Sequence, residues 1–192
     1  MTDREQKDAL RRERLALRDA MPGDSRIEAS LSIADHGADA LAFEPGQIVS
    51  GFFPIRSEVD LRPLMDRLRA RGARLALPVV IDRQTIVFRE LTRDGELVDT
   101  GFGTRGPGPD AEVLDPDLLL VPLAAFDRRG HRIGYGAGHY DRAIARLRAK
   151  GRDPRLVGIA VDCQEVPAVP DQPHDIELHA ILTESGYTLF KR

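Results

Sequence analysis

The chain has 192 residues, 42% hydrophobic and 31% charged, with 28 Lys and Arg against 31 Asp and Glu for a formal net charge of −3. That mix describes a globular protein rather than a disordered or fibrous one, and it suits a single domain over residues 1–192 that buries roughly 70% of its unfolded surface. A near-neutral chain lacks the positive excess needed to coat a nucleic acid, and the one cysteine, Cys163, excludes an internal disulfide or a multi-thiolate zinc site and fits a reducing, cytoplasmic setting.

Residues 1–20 mix both charge signs and hold no apolar signal core. The longest apolar stretch, residues 118–126, spans nine residues and contains Pro122, whereas a membrane helix needs about 20. No membrane association is expected.

In chain order, residues 4–20 read as an amphipathic helix stopped by Pro22 and Gly23, and residues 24–41 as a second helix closed by Pro45-Gly46. Residues 47–54 look like a buried strand, with Ile48, Val49, Phe52 and Phe53 in a short run. Residues 60–71 are helical, with Leu61, Leu64, Met65 and Leu68 at helical spacing and Pro63 tolerable only in the first turn. Strands follow at 74–81 and 85–91, then a loop rich in glycine and proline at 100–110. Residues 118–123 form the clearest central strand, apolar without alternation, as when both faces are covered. A polar turn at 127–130, a glycine cluster, a helix at 139–150, a strand at 156–161 and one or two short strands from 181 complete the chain. Helices and strands alternate as in an α/β domain.

The residues most able to carry chemistry lie between Pro122 and Arg142. Gly134, Gly136 and Gly138 follow a central strand and precede a helix. Glycine lets backbone amides approach phosphate oxygens, and a helix start adds open N–H groups and the favourable end of its dipole. Arg132 and Arg142 flank the loop, and Asp141 offers a carboxylate that a cation can use. The segment reads either as a polyphosphate site or as an ordinary glycine turn. It is not a P-loop, and as a dinucleotide fingerprint it fails at its third glycine position, which holds His139. An unrelated dinucleotide-dependent oxidoreductase is therefore disfavoured.

On the first helix, Lys7, Arg11, Arg14 and Arg18 share one stripe, with Leu10, Leu17 and Met21 beside it as anchors. The stripe can reach phosphates, but Asp3, Glu5, Asp8 and Glu13 supply ion-pair partners, so taken alone it reads as a solvated face of mixed charge. Phe52 and Phe53 end a strand and Glu58 follows, a place where α/β sheets bind ligands. A planar heterocycle can stack there with Glu58 accepting from its ring N–H groups; the plainer reading is two core phenylalanines and a surface glutamate. Asp175, after Gln172-Pro173-His174, can join Asp141 as an oxygen ligand, since magnesium takes one or two carboxylates plus phosphates. His174 and His179 have no zinc spacing, and neither HExxH nor a nucleophile elbow is present.

The run Gly130-His131-Arg132-Ile133-Gly134-Tyr135-Gly136-Ala137-Gly138-His139-Tyr140-Asp141-Arg142, preceded by Phe126-Asp127, resembles the signature of 5-formyltetrahydrofolate cyclo-ligases, also called methenyltetrahydrofolate synthetases. Lys7-x-x-Leu10-Arg11 is similar to the family's amino-terminal nucleotide element, and Phe53 with Glu58 to its folate-binding strand end. Leu77-Pro78-Val79, the stretch from Leu156 through Gln164 to His174-Asp175, and Leu182-Thr183-Glu184 extend the resemblance over nearly the whole chain. The sequence departs from the pattern at His139, Ala137 and Gly106, which bear on substrate specificity more than on a phosphate-binding backbone.

The resemblance implies a three-layer α/β/α domain with a largely parallel central sheet. It implies an ATP- and Mg2+-dependent closure of 5-formyltetrahydrofolate to 5,10-methenyltetrahydrofolate, with ADP and phosphate released. ATP contacts are expected from Lys7, Asp8, Ala9, Leu10 and Arg11, and from Arg132, Ile133, Gly134, Tyr135, Gly136, Ala137, Gly138, His139 and Tyr140. Folate contacts are expected from Phe53, Glu58, Tyr135 and His139, catalytic roles from Arg132 and Tyr140, and metal ligation from Asp141 and Asp175. The partners would be small molecules, with no nucleic acid and no membrane, and the protein a monomer or small homo-oligomer. The alternative within the family is a member that binds nucleotide or folate without turnover.

Overall fold

The structure, a computed structural model, describes residues 2–101, 103–173 and 175–191, so His174 lies outside it. Four helices and twelve strands follow in order: α1 (Asp3–Asp19), α2 (Gly23–Ala40), β1 (Ile48–Ser50), α3 (Arg62–Ala70), β2 (Arg74–Val80), β3 (Ile86–Glu90), β4 (Leu97–Gly101), β5 (Thr104–Pro107), β6 (Val113–Leu114), β7 (Leu118–Pro122), β8 (Ala125–Phe126), β9 (Arg132–Ile133), α4 (His139–Ala149), β10 (Arg155–Ile159), β11 (Ala180–Thr183) and β12 (Gly186–Leu189). Eight strands form one sheet in the order β12-β11-β10-β7-β1-β2-β3-β6. Its centre, from β11 to β2, is parallel, and antiparallel strands flank it on both sides.

The layers follow from side-chain alternation along β7. Leu118 and Leu120 face a core built with Ile33 of α2 and Leu64 and Leu68 of α3. Leu119 and Val121 face the opposite core, with Ala143, Ile144 and Leu147 of α4. Both faces of the strand are covered, which is why it reads as an unbroken apolar run. The expected α/β/α arrangement with a largely parallel sheet is present. Helix α1 starts in a capping box, in which Thr2 accepts from the Glu5 N–H and the Glu5 carboxylate accepts from the Thr2 N–H. It lies against β8 and the short helical turn Asp162–Gln164 rather than over a sheet face. Pro63 falls in the first turn of α3, where its missing N–H costs nothing. Among the described residues, no helix is long and apolar enough to cross a membrane.

Three local expectations change. The strand expected at 47–54 stops at Ser50; the Gly51 N–H still donates to the Ala76 carbonyl at 3.1 Å, and the chain there passes under Met65, where a Cβ would sit 2.4 Å from the sulfur. Phe52 and Phe53 therefore leave the sheet. The loop expected at 100–110 contains half of a hairpin, β4 with β5, in which Gly101 and Gly103 take left-handed φ values of 84° and 74° near the tip. The glycines that suggested a loop serve its turn. Gly106 lies against β2, where a Cβ would stand 3.0 Å from Val79, so the missing side chain at this departure allows close packing. Leu10 on α1 and Met21 just past its end anchor as expected, but Leu17 is 44% exposed.

Candidate active site

Strand β1 pairs with β2 on one side and β7 on the other. The chain passes from β1 through α3 to β2, and from β7 through α4 to β10 on the other flank. The sheet's order therefore reverses between β1 and β7, and ligands bind at the carboxyl ends of strands at such a point. A cavity of about 570 Å³ opens there.

One wall comes from the carboxyl end of β1, with Phe52 and Phe53 beside Glu58. Phe52 is 4% exposed and belongs to the core as well, while Phe53 is half-buried. Glu58 is no surface glutamate. Burial pushes its carboxyl above the usual glutamate range, against the lowering effect of bonds from the Tyr135 hydroxyl and the Ile55 N–H and of the Arg18 charge. The Ile55 N–H donates to Glu58 Oε2 at 2.8 Å.

The opposite wall is the glycine segment. The backbone bends after β7 and is locked by buried Gln164, whose amide donates to the carbonyls of Leu123 at 2.7 Å and Ala124 at 3.0 Å. The ribbon of β8 and β9 then delivers Arg132 and Ile133 to the cavity rim. Gly134, Tyr135, Gly136, Ala137 and Gly138 continue along the cavity into α4. Gly136 and Gly138 have φ of 100° and 66°, a left-handed backbone that side chains disfavour. Gly138 caps α4 with no side-chain hydrogen bond, so the first-turn N–H groups have no side-chain acceptor at the cap.

Arg132 is firmly placed. Its side chain is 6% exposed, with Nη1 donating to the Ile176 carbonyl at 2.5 Å and Nη2 to Asp141 Oδ1 at 2.6 Å. His139 Nε2 meets the Arg83 carbonyl at 3.0 Å and Arg142 Nε donates to the Gln84 carbonyl at 2.7 Å, which ties the β2–β3 turn to the start of α4. The Tyr140 hydroxyl is buried and has no hydrogen-bond partner among the described residues. Burial first, then the Glu58 charge, drives its pKa far upward, so it remains a proton-bearing donor.

The basic stripe of α1 is not a solvated face. Lys7 Nζ donates to Asp175 at 2.7 Å, Arg11 Nε to the Gly134 carbonyl at 2.8 Å, and Arg14 Nη1 to the Cys163 carbonyl at 3.1 Å. Arg18 is 4% exposed. Anchoring at Leu10, which packs on Ala125, Ile133, Val166 and Val169, turns the stripe inward. Lys7 and Arg11 line the cavity, whereas Asp8 pairs with Arg11 and lines an adjoining cleft of about 420 Å³. Ala9 and Leu10 line neither.

Asp141 and Asp175 both reach the cavity. No three His, Cys, Asp or Glu side chains converge as a metal cluster among the described residues. Two carboxylates on one cavity match the one or two that magnesium takes from protein, with water and substrate oxygens as its other ligands. Arg18, Ser57, Arg83 and Arg105 are site neighbours that the sequence reading left without a role there. Only Arg18 carried a signal, as the last member of the basic stripe.

Comparison with known proteins matches residues 3–184 to the 5-formyltetrahydrofolate cyclo-ligase family. The 5-formyltetrahydrofolate cyclo-ligase of Mycolicibacterium smegmatis is 34% identical over 146 residues, 72% of this chain and 74% of that protein. The Escherichia coli K12 enzyme of the same name is 34% identical over 143 residues, 71% of this chain and 78% of that one. The solved 5,10-methenyltetrahydrofolate synthetase of Aquifex aeolicus superposes with a TM-score of 0.81 at 27% identity, over 97% of this chain and 93% of that one.

Proposed function

The chain belongs to the 5-formyltetrahydrofolate cyclo-ligase family, and from that premise we propose that it closes 5-formyltetrahydrofolate to 5,10-methenyltetrahydrofolate with MgATP, releasing ADP and phosphate. The observation that carries this reading is one cavity with two chemically different walls. Phe53 and Glu58 offer a stacking face and an acceptor, and the glycine segment with Lys7, Arg11 and Arg132 offers a cradle for phosphates.

The formyl oxygen is a poor leaving group. Transfer of the γ-phosphoryl group of ATP onto that oxygen breaks the terminal phosphoanhydride bond and makes the formyl carbon electrophilic. The folate N10 then attacks this carbon, its proton is lost, and the C–O bond breaks to release phosphate with the former formyl oxygen. Such a reaction needs positioning and charge stabilisation more than a protein nucleophile. Arg132, held on the Ile176 carbonyl, presents fixed positive charge to the transferring group. Tyr140 keeps an unpartnered hydroxyl available as a donor in a dry position, and the open N–H groups of α4 favour phosphate oxygens. Asp141 and Asp175 would hold the magnesium ion, which supplies further charge neutralisation on the phosphates.

The test is to incubate the protein with 5-formyltetrahydrofolate and MgATP and follow the methenyl chromophore and ADP together. The expected outcome is one ADP per methenyl group, abolished by excess chelator and restored by magnesium. Folate binding with neither product appearing would leave a binding member of the family instead. Arg11→Ala should raise the KM for ATP about tenfold, the worth of one charge-assisted bond, with folate affinity nearly unchanged. An unaltered KM for ATP would remove Arg11 from the nucleotide site.

A further inference from the structure

Helix α1 presents Lys7 and Arg11 to the polar wall of the cavity, and its last turn reaches the folate wall. Arg18 lies in that last turn, 4% exposed and permanently charged. A guanidinium is costly to bury unless its donors are used. Here Nε donates to Ser57 Oγ at 3.0 Å and Nη1 to the Tyr135 hydroxyl at 2.6 Å, and the guanidinium carbon lies 5.8 Å from the centre of the Tyr135 ring.

Both partners lead to Glu58. Ser57 precedes it in a tight turn whose Arg56 has a φ of 56°, a left-handed backbone rare for a residue with a side chain. A strained turn persists when its surroundings over-determine it. The Glu58 N–H donates to the Ile55 carbonyl at 3.2 Å, and buried Ser57 is held between Arg18, which donates to it, and Asp19, to which its hydroxyl donates. From the other side, the Tyr135 hydroxyl that accepts from Arg18 lies 3.4 Å from the Leu123 carbonyl and close enough to the Glu58 carboxylate to oppose the rise of its pKa.

We propose that Arg18 is a positioning residue for folate binding: through Tyr135 and Ser57 it sets the orientation of the Glu58 carboxylate without touching the folate. This rests on the reading of Glu58 as the acceptor for the folate ring. It assigns to the carboxyl end of α1 a role separate from the nucleotide contacts proposed nearer its start.

The charged and titratable groups acting on Glu58 are Arg18 from α1, Tyr135 from the glycine segment and Tyr140 from α4, with the Ile55 N–H from its own turn. Burial raises the carboxyl, and the Tyr135 bond, the Ile55 N–H and Arg18 oppose that rise. Removing Arg18 or the Tyr135 hydroxyl lets it rise further, so the pH below which folate binding fades should move upward.

The experiment is calorimetric titration of 5-formyltetrahydrofolate without nucleotide, from pH 5 to 8, into the wild type, Arg18→Met and Tyr135→Phe. Both variants should bind roughly tenfold more weakly at neutral pH, the loss of about one hydrogen bond to a charged group, with the acid midpoint shifted up. Arg18→Met should leave the KM for ATP within about twofold. Unchanged affinity and midpoint in Arg18→Met would overturn the proposal. Should that variant fail to fold, the acid midpoint of Tyr135→Phe decides, because the change keeps the Arg18–Ser57 bond and removes the hydroxyl between Arg18 and Glu58; an unshifted midpoint there overturns the proposal. Wild-type binding without methenyl formation would defeat the proposed reaction and leave the role of Arg18 standing. A wild type that does not bind the folate would overturn both.

Discussion

Arg132→Met should lower kcat by about 10²–10³-fold, the loss seen when one preorganised donor to a developing charge is removed. Methionine keeps the apolar stem, so the change isolates the guanidinium. That group has little freedom to be replaced from elsewhere: its side chain is 6% exposed and its two terminal nitrogens hold the Ile176 carbonyl and Asp141. The variant frees Asp141 from its guanidinium partner and removes the Ile176 carbonyl's bond to this arginine. A stability loss of about 1–3 kcal/mol is expected for that, measurable by thermal melting and too small to explain the kinetic loss. Arg132→Lys should recover only part of the rate, because an ammonium cannot span two acceptors as a planar fork does. A kcat for Arg132→Met within threefold of wild type, on folded protein, would remove Arg132 from the chemistry.

Asp127→Ala should cost several kcal/mol of folding stability, since each buried N–H group left without an acceptor costs about 1–3 kcal/mol. Asp127 is fully buried at the turn between β8 and β9. Its carboxylate accepts from the N–H groups of Arg129 at 2.9 Å, His131 at 3.2 Å and Val169 at 2.8 Å, and from the Arg129 guanidinium at 2.8 Å and 3.1 Å. Burial alone would raise its pKa, but these bonds from Val169, Arg129 and His131 outweigh it and hold the carboxyl below its ordinary value of 3.8. Since the folded value lies below the unfolded one, the stabilisation is complete above 3.8 and is lost as pH falls through the folded value. Urea melts should therefore show a wild-type advantage over Asp127→Ala that is constant near neutrality and shrinks only in strong acid. An advantage independent of pH down to 2 would contradict the assignment.

Where apolar period and chain punctuation agree, sequence and structure coincide. The α2, α3 and α4 spans and the buried run of β7 follow from that agreement, whereas the parallel centre of the sheet is what the family resemblance implies. The reading fails where one residue type serves two purposes. Gly101 and Gly103 suggest a loop to any local rule, yet they turn a hairpin that packs against β2 and β3. Gly51 sits inside an apolar run just past the end of β1, packed under Met65 of α3, an approach that no local pattern shows.

The candidate site divides in the same way. The glycine segment, Phe53 and Glu58 are visible because their chemistry is local. The inward turn of the basic stripe is not, because a face of mixed charge looks alike whether its partners are water or a carbonyl. Gly134 lies 123 positions from the Arg11 it accepts from, and Lys7 is 168 positions from Asp175. Pairings at such separation are products of the topology, and the carboxylates at 141 and 175 carry no mark of the cations beside them.

The uncapped start of α4 has one more consequence. A helix whose first turn lacks a side-chain acceptor frays more readily than one that has it. An anion resting on those N–H groups would supply the absent cap, so filling the cavity and ordering the helix become a single equilibrium seen from two ends. By linkage, whatever loosens the first turn of α4 weakens anion binding by the same free energy. Through the contacts of His139 and Arg142 with the β2–β3 turn, that equilibrium extends to the far rim of the cavity.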